Sequence, residues 1–333
     1  MTAFKKFVLI LFFFLTSTSA RAGERLLFAV DIVRHGNRTP IAELPKSPYE
    51  WKEGLSTLTQ LGVEQEYKLG QLLRKEYVEK YGLLPSQYHL GDLYVRSTET
   101  ARTQASAKAL LSGLYPAEVR GNQGIPIETV KISEDDLLLV HPSNNIFSVI
   151  KVYCLKRKFW KEKTKDIQNK LKSWHEVTGL GIKDFDELSI LADNLSLRQL
   201  HGVPLPIGIS QQDANEIISL DQWAMVTTFK LPEISEPTGR KLISSIQNYM
   251  NKSVQEKSPL KYVLYSGHDA TIMSALATLG VAFEKVPDFA SRLSFSLFKD
   301  GGDYIVKVSY NGQQLRIPAC KRGSCTISEW NSF

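Results

Sequence analysis

The chain has 333 residues, 43% of them hydrophobic, which is enough to bury the core of one large domain or of a core with an inserted subdomain. Its net charge of +6 falls to +3 once residues 1–22 are removed, because Lys5, Lys6 and Arg21 leave with that segment and no acidic residue does. A charge so close to balance gives no argument for a nucleic-acid or membrane partner.

The N-terminal segment has the pattern of a secretory signal peptide. Lys5-Lys6 precede an apolar run of nine residues, 7–15, and Ala20-Arg21-Ala22 form a small-residue cleavage site. The run is too short for a membrane-spanning helix, which needs about 20 residues. We therefore expect residues 1–22 to be removed and the mature protein to be periplasmic or secreted, with no membrane contact.

The apolar run 26–33 predicts a buried parallel strand that ends in a loop at Gly36. Open α/β sheets bind ligands at the carboxyl ends of their strands. Two guanidinium groups in this loop can fork onto phosphate oxygens while the imidazole between them faces the phosphorus. The loop also contains the glycosylation sequon Asn37-Arg38-Thr39, and a glycan there would obstruct the phosphate. This favours a host that lacks the modification. The loop reads Arg34-His35-Gly36-Asn37-Arg38-Thr39-Pro40.

A helix is predicted over 58–81, followed by Gly82 as its stop signal. Its expected buried face is leucine-rich and consists of Leu58, Leu61, Leu69, Leu72 and Leu73. Gly62 and Gly70 are unusual inside a helix and indicate close backbone packing.

Two more strands are predicted to end beside the first. The run 90–95 delivers Arg96, and Ser97 or Thr98 would cap a helix over 99–112. The run 262–266 ends at Gly267-His268-Asp269 and precedes a helix over 270–279. Segments 292–298 and 303–310 alternate as an antiparallel edge pair with its turn at 300–302.

Residues 146–228 differ in character, being rich in helix formers and lysines. They predict an α-helical cap inserted into a core made of residues 23–145 and 229–333. The lysines are interpreted as a solvated helix face, with attraction of an anionic substrate as the alternative. Cys320 and Cys325 flank a short turn and are expected to pair, which leaves Cys154 as a buried free thiol or an intermolecular link.

The motifs together resemble those of the histidine acid phosphatases, branch 2 of the histidine phosphatase superfamily, and the turn at the two cysteines resembles that of the prostatic and lysosomal members. The resemblance covers the core, about 26–116 and 238–325, and is weak in the cap. It implies a three-layer α/β/α core with a mostly parallel central sheet, as in phosphoglycerate mutases, and an inserted helical cap. It rests on Arg34-His35-Gly36-x-Arg38-x-Pro40, Leu58-Thr59-x-x-Gly62-x-x-Gln65, Arg96-Ser97-Thr98-x-x-x-Arg102-Thr103 and His268-Asp269.

The residues and the resemblance agree on one mechanism. His35 is the expected nucleophile, which forms a phosphohistidine. Asp269 is the expected proton donor to the leaving oxygen, which predicts an acidic optimum. The phosphate is expected to bind Arg34, Arg38, Arg96 and His268, with Arg102 left outside the site.

With so many cations the site is expected to need no metal or other cofactor. The predicted function is thus a metal-independent acid phosphatase that hydrolyses small phosphomonoesters, either broadly or with nucleotide-like or sugar-phosphate-like substrates. A homodimer is a possible assembly. A phytase-like specialised phosphatase, motivated by the basic cap, and a catalytically silent phosphate-binding protein remain as alternatives.

Overall fold

The computed structural model of the chain describes residues 23–121, 124–140, 157–182 and 185–333. The expected signal peptide, the start of the expected cap and Cys154 lie outside the described residues. The strands are β1 (Arg25–Arg34), β2 (Leu93–Thr98), β3 (Glu128–Val130), β4 (Tyr262–Gly267), β5 (Arg292–Asp300), β6 (Asp303–Tyr310), β7 (Gln313–Gln314) and β8 (Cys325–Thr326). The helices are α1 (Gln60–Leu73), which continues in wider π-helical form over Arg74–Lys80, α2 (Ala101–Leu114), α3 (Ala117–Arg120), α4 (Lys158–Thr178), α5 (Phe185–Leu200), α6 (Gln211–Phe229), α7 (Pro232–Val254), α8 (Asp269–Thr278) and α9 (Ile327–Trp330).

The described strands form one eight-stranded sheet in the order β3-β2-β4-β1-β5-β6-β7, with β8 also paired to β6. The run from β3 to β1 is parallel, and every pairing from β5 onward is antiparallel. The centre of the sheet is therefore mostly parallel, as the sequence predicts. The carboxyl ends of β1, β2 and β4 meet at one edge, since Arg34 is in register with Gly267 and Ser97 with Ser266.

Helices cover both faces of the sheet and make three layers. Alternate residues of β1 enter different hydrophobic clusters, because side chains of a strand point to opposite faces. Val30 and Ile32 pack with residues of α7 and α8 on one face. Ala29 and Val33 pack with residues of α1 and α2 on the other. The predicted α/β/α core is confirmed.

The packing of α1 on α2 differs from the leucine face that periodicity predicts. Leu61 and Leu72 are 38% and 59% exposed, so two of the five predicted leucines face solvent. The buried residues of α1 are Gly62, Glu66, Gly70 and Leu73, a face rotated by roughly 80° from the prediction at 100° per residue. The reason is that the helices touch through backbone at glycines, where an added Cβ on Gly70 would lie 1.9 Å from the carbonyl oxygen of Leu110.

Replacing Gly70 with alanine is therefore expected to lower the free energy of unfolding by about 3 kcal/mol, because the helices must separate to admit a methyl group. Thermal or urea denaturation measures this. Gly302→Ala is the matched control, since nothing lies within 4 Å of a Cβ at that exposed position. Equal stability of the two variants would contradict the backbone contact.

The three helices α4, α5 and α6 share a separate hydrophobic cluster that includes Trp160, Trp174, Leu188 and Leu220. The lysines of α4 lie mainly on its solvent side, as the interpretation of a solvated helix face predicts. Five of them are exposed: Lys158, Lys161, Lys165, Lys170 and Lys172.

Near the C-terminus, Cys320 and Cys325 form the predicted disulfide. Among the described helices none has the length and apolar character to cross a membrane.

Candidate active site

His35 follows β1 directly and is held at the sheet edge by its backbone. Its N–H donates to the carbonyl oxygen of Gly267 (3.0 Å), and its carbonyl oxygen accepts from the N–H of Ala290 (3.2 Å). The side chain is only 3% exposed, and Nδ1 lies 2.9 Å from the carbonyl oxygen of Gly36. Because a carbonyl oxygen can only accept, Nδ1 carries the proton, and the neutral ring keeps its lone pair on Nε2.

The imidazole of His35 is kept uncharged by its surroundings. Burial lowers its pKa well below the ordinary value of 6.5, and the positive charges of Arg34, Arg102 and Arg38 lower it further together with His268. The ring therefore stays a potential nucleophile under acidic conditions in which an exposed histidine would be protonated.

Glycine at position 36 lets this loop lie against the start of α1. A Cβ on Gly36 would be 2.5 Å from the carbonyl oxygen of Gly62, so no other residue fits without movement. The N–H of Gly36 donates to Ser106 Oγ of α2 (3.0 Å), and that of Asn37 donates to Gln65 Oε1 of α1 (2.8 Å). These contacts explain why the glycines and Gln65 accompany the arginine-histidine motif in the sequence.

Asn37 is fully buried, so its amide is not open to a modifying enzyme in the folded protein. Its Oδ1 accepts from Thr59 Oγ1 (2.6 Å) and from His201 Nε2 (2.7 Å). The sequon residue thus joins the loop to the end of α5, where His201 follows the helix. The sequence suggested no role for His201.

Two guanidinium groups flank His35, and each is paired with a carboxylate. Arg34 lies 2.8 Å from Asp269 and stacks on the ring of Phe289, 4.2 Å from its centroid. Arg38 donates two hydrogen bonds to Asp193 of α5, at 2.8 and 3.0 Å. The Nε–H groups of both arginines are buried and have no acceptor within the described part of the chain.

Arg102, which the sequence analysis left outside the site, belongs to it. It sits on the first turn of α2, donates to Ser56 Oγ (2.8 Å) and has a buried Nε–H without an acceptor among the described residues. Its charge is among the causes that lower the pKa of both His35 and His268. The signal available in the sequence was the place of Arg102 in the motif Arg96-Ser97-Thr98-x-x-x-Arg102-Thr103, whereas the strand end at Thr98 that brings Arg102 to the carboxyl edge of the sheet is seen only in the structure.

Arg96, in contrast, is not brought to this group. The second strand begins three residues later than predicted and ends at Thr98, so Arg96 lies inside it, in register with Tyr265. Its guanidinium pairs with the fully buried carboxylate of Asp135. The predicted N-terminal capping residue of the helix, Ser97 or Thr98, is also wrong, since Thr100 directly precedes α2. The Nε–H of Arg96 also lacks an acceptor among the residues that the structure describes, but Arg96 is not among the main charges that act on His35 or His268.

His268 and Asp269 stand where β4 passes into α8. The ring of His268 lies edge-on to that of His35, with centroids 5.5 Å apart, and its Nε2 is 3.1 Å from Thr98 Oγ1. Burial and the charge of Arg102 lower the pKa of His268. Burial alone would raise the pKa of Asp269, but the positive charge of Arg34 outweighs it, and the pKa is lowered.

The site therefore unites five of the six residues that the sequence predicts, together with Arg102. Its unpaired donors suit an oxyanion, since buried N–H groups are nearly always hydrogen-bonded in folded proteins. No group of three or more His, Cys, Asp or Glu side chains that could hold a metal occurs in the described ranges. The arrangement can bind a phosphoryl group, attack it with an imidazole nitrogen and exchange a proton at Asp269.

Comparison with known proteins agrees with this chemistry. Residues 25–179 and 226–311 match the model of the histidine phosphatase superfamily, branch 2. Prostatic acid phosphatase of Homo sapiens is 30% identical over 346 residues, which cover 97% of this chain and 88% of that protein. Lysosomal acid phosphatase of Bos taurus is 30% identical over 309 residues, covering 88% and 72%.

Among solved structures, a Hafnia alvei phytase in complex with tartrate has a similar fold. The TM-score is 0.71 with 20% identity, and the match covers 94% of this chain and 97% of that one. At this identity the likeness concerns the fold alone.

Proposed function

Since the chain belongs to the histidine phosphatase superfamily, branch 2, we propose that it is an acid phosphatase that hydrolyses phosphate monoesters through a phosphohistidine intermediate at His35. The observation that carries the proposal is the hydrogen bond from His35 Nδ1–H to the carbonyl oxygen of Gly36, at 2.9 Å. It fixes the tautomer in which Nε2 is free to attack phosphorus.

The reaction has two balanced steps. First, His35 Nε2 forms a bond to phosphorus, the bond from phosphorus to the leaving oxygen breaks, and Asp269 gives its proton to that oxygen. Then a water attacks the phosphohistidine and passes a proton to Asp269, and the bond to Nε2 breaks. The phosphate leaves, and both side chains return to their starting states.

Three guanidinium groups are proposed to hold the phosphoryl oxygens through both steps: those of Arg34, Arg38 and Arg102. Phosphoryl transfer depends mostly on positioning and charge stabilisation, and each group can fork onto oxygens. His268 is proposed as a further donor. Arg96, whose guanidinium pairs with Asp135, is instead proposed to hold the loop that follows β3.

Replacing Arg102 and Arg96 separately distinguishes these roles. Arg102→Ala is expected to lower kcat/KM by about 10²–10³, the usual effect of losing a charge-stabilising donor. Arg96→Ala is expected to reduce stability by about 3–5 kcal/mol, because it leaves the carboxylate of Asp135 buried without its partner. Steady-state kinetics and thermal denaturation of both variants measure this. If Arg96→Ala were as stable as the parent but inactive, the assignment would be reversed.

The pH profile tests the proposed nucleophile. Activity of the free enzyme requires neutral His35, and its protonated form grows only as pH falls through a pKa that lies well below 6.5. We expect kcat/KM for p-nitrophenyl phosphate to stay high at pH 5 and to decline at lower pH, with EDTA without effect. A loss of activity with a midpoint near pH 6.5, or complete inhibition by EDTA, would contradict the proposal.

A phytase-like activity is the second candidate, and it has one observation in its favour, the fold shared with a phytase over most of both chains. The basic cap that first motivated it gives less support, because the lysines of α4 lie mostly at the solvent surface. The ratio of kcat/KM for phytate to kcat/KM for p-nitrophenyl phosphate distinguishes the two activities, and a value above one favours a phytase.

The remaining assignments are also proposals. Residues 1–22 are proposed to be a cleaved signal peptide that sends the protein to the periplasm or the medium. The segment 146–228 is proposed to be the cap over a core of residues 23–145 and 229–333. N-terminal sequencing of the secreted protein tests the first assignment.

A further inference from the structure

The guanidinium group of Arg38 is bound at its outer end by protein. Nη1 donates to the carbonyl oxygen of Thr39 (3.0 Å) and to Asp193 Oδ2 (3.0 Å), and Nη2 donates to Asp193 Oδ1 (2.8 Å). An arginine side chain carries five N–H hydrogens, and these bonds engage three of them. The outer end of the group is therefore occupied before any substrate binds.

The two remaining hydrogens of Arg38 lie along one edge of the guanidinium group. The Nε–H is buried and has no acceptor among the residues that the structure describes. The second hydrogen of Nη2 is parallel to it, because Nη2 is the terminal nitrogen on the Nε–H side. Two parallel N–H groups are the arrangement that binds two oxygens of a carboxylate or a phosphate. The Nε–Nη2 edge of Arg38 thus suits two oxygens of one phosphoryl group.

Asp193 is itself held in place by the protein. Its Oδ2 also accepts a hydrogen bond from the backbone N–H of Ile41, at 3.0 Å. The next residue of α5, Asn194, donates from Nδ2 to the carbonyl oxygen of Ala42, at 3.1 Å. Other residues of α5 pack into the hydrophobic cluster that it shares with α4 and α6. The helix and the loop that follows Arg38 are therefore joined at adjacent points, and the carboxylate has little freedom to move.

The two ion pairs of the site differ in what the proposed mechanism asks of them. Asp269, the partner of Arg34, has to release a proton and take one up. Asp193 takes part in no such step and can keep its bonds to Arg38 through the whole reaction. A guanidinium group that is fixed in advance loses little conformational entropy when phosphate binds, and it is already aimed at the developing charge.

We propose that Asp193 is a positioning residue of the phosphate site, which holds the outer end of Arg38 so that the Nε–Nη2 edge meets the phosphoryl oxygens. The inference rests on the proposed function and extends the phosphate site to a residue of the helix α5. Asp193 acts through Arg38 and does not touch the substrate.

A double-mutant cycle with Arg38 tests this role. The readout is the dissociation constant of inorganic phosphate, measured by calorimetry, which needs no turnover. Asp193→Ala is expected to weaken phosphate binding by about three- to ten-fold, the effect of having to immobilise one long side chain on binding. Loss of a negative charge would by itself strengthen the binding of an anion, so electrostatic attraction alone cannot produce this result.

In the Arg38→Ala background, the same substitution should not weaken phosphate binding, because the group that Asp193 orients is gone. Phosphate binding that is unchanged or tighter in Asp193→Ala alone would overturn the inference. An equal loss in both backgrounds would overturn it as well, because Asp193 would then act on something other than Arg38.

Asn194→Ala is the matched control, since it removes a bond between the same helix and the same loop without touching Arg38. It is expected to lower the midpoint of thermal denaturation and to keep the dissociation constant of phosphate within about two-fold of the parent value. If it weakened phosphate binding as much as Asp193→Ala does, docking of α5 rather than orientation of Arg38 would be the cause.

Steady-state kinetics keep this inference separate from the proposed function. Asp193→Ala should lower kcat/KM for p-nitrophenyl phosphate by about 10–100-fold, the usual effect of misplacing a group that binds the substrate. A parent enzyme that binds phosphate but hydrolyses no ester would reject the proposed function, while the dissociation constants would still report on Asp193. Normal hydrolysis by the parent and by Asp193→Ala would reject the inference alone.

The parent enzyme alone also decides if Asp193→Ala fails to fold. With nitrogen-15 in the arginines, the Nε–H resonance of Arg38, assigned by its loss in Arg38→Lys, should move downfield when phosphate saturates the site, because Nε–H gains an acceptor. A resonance that stays in place at saturation would mean that phosphate does not bind the Nε–Nη2 edge, which would overturn the inference.

Discussion

Replacing His35 with alanine is expected to lower kcat on the order of 10⁴-fold or more, because it removes the atom that forms the covalent intermediate. The side chain is buried, and among the described residues its one hydrogen bond is to the carbonyl oxygen of Gly36, so the fold should persist. Hydrolysis of p-nitrophenyl phosphate measures the loss, and thermal denaturation checks folding.

His89→Ala is the control for this variant, since the side chain of His89 is exposed and lies 3.3 Å from the carboxylate of Asp92, on the loop before the amino end of β2. It should keep parent activity. A second readout separates a nucleophile from a mere phosphate ligand: quenching the parent enzyme during turnover of a radiolabelled ester should trap label on His35. Label on another residue, or turnover by His35→Ala near the parent rate, would reject the mechanism.

Replacing Asp269 with asparagine is expected to lower kcat/KM for an alkyl ester such as glycerol 1-phosphate by about 10²–10⁴-fold, the usual contribution of a general acid. The loss of kcat/KM for p-nitrophenyl phosphate should be much smaller, because kcat/KM reports the step in which the leaving group departs and nitrophenolate departs without a proton. The contrast between the two esters is the measurement. Equal losses would mean that Asp269 acts only through its ion pair with Arg34.

The pH dependence of kcat gives an independent check on Asp269. In the free site the pKa of this carboxyl is lowered, with Arg34 as the main favourable partner. A bound phosphate competes for that guanidinium and brings negative charge close, which raises the pKa. The protonated form, and with it kcat, should be present below this pKa and be lost as pH rises through it. In Asp269→Asn the basic limb should disappear.

The chain sequence alone predicted the strands that carry the site with little error. Continuous apolar runs bounded by glycine or polar residues mark buried parallel strands, and β1 and β4 follow this rule over almost their full length. The alternation at 292–298 and 303–310 likewise gave the antiparallel pair β5 and β6 with its turn. The local sequence pattern is enough to predict these strands, because a segment whose side chains are buried on both faces of a sheet can adopt few other structures.

The sequence-based predictions failed where the exact end of a strand, or the packing of a neighbouring segment, determines which side chains face the site or the core. The end of β2 lies three residues beyond the predicted one, so that Arg96 falls inside the strand and Arg102 on the first turn of α2. We therefore propose Arg102 rather than Arg96 as the phosphate ligand. The buried face of α1 was misjudged because periodicity weighs leucines, whereas α2 approaches the backbone of Gly70 and the loop at Asn37 approaches the backbone of Gly62.

The sequence by itself determined the class of fold, the motif that brings arginine and histidine to one strand end, and the local disulfide, since each depends on residues close together in the chain. Tertiary structure alone decided which arginines converge, and it placed Asp193, more than 150 residues after His35, on the guanidinium of Arg38. Electrostatic interactions depend on distances in space, and no spacing along the chain encodes the orientation of α5 toward the sheet edge.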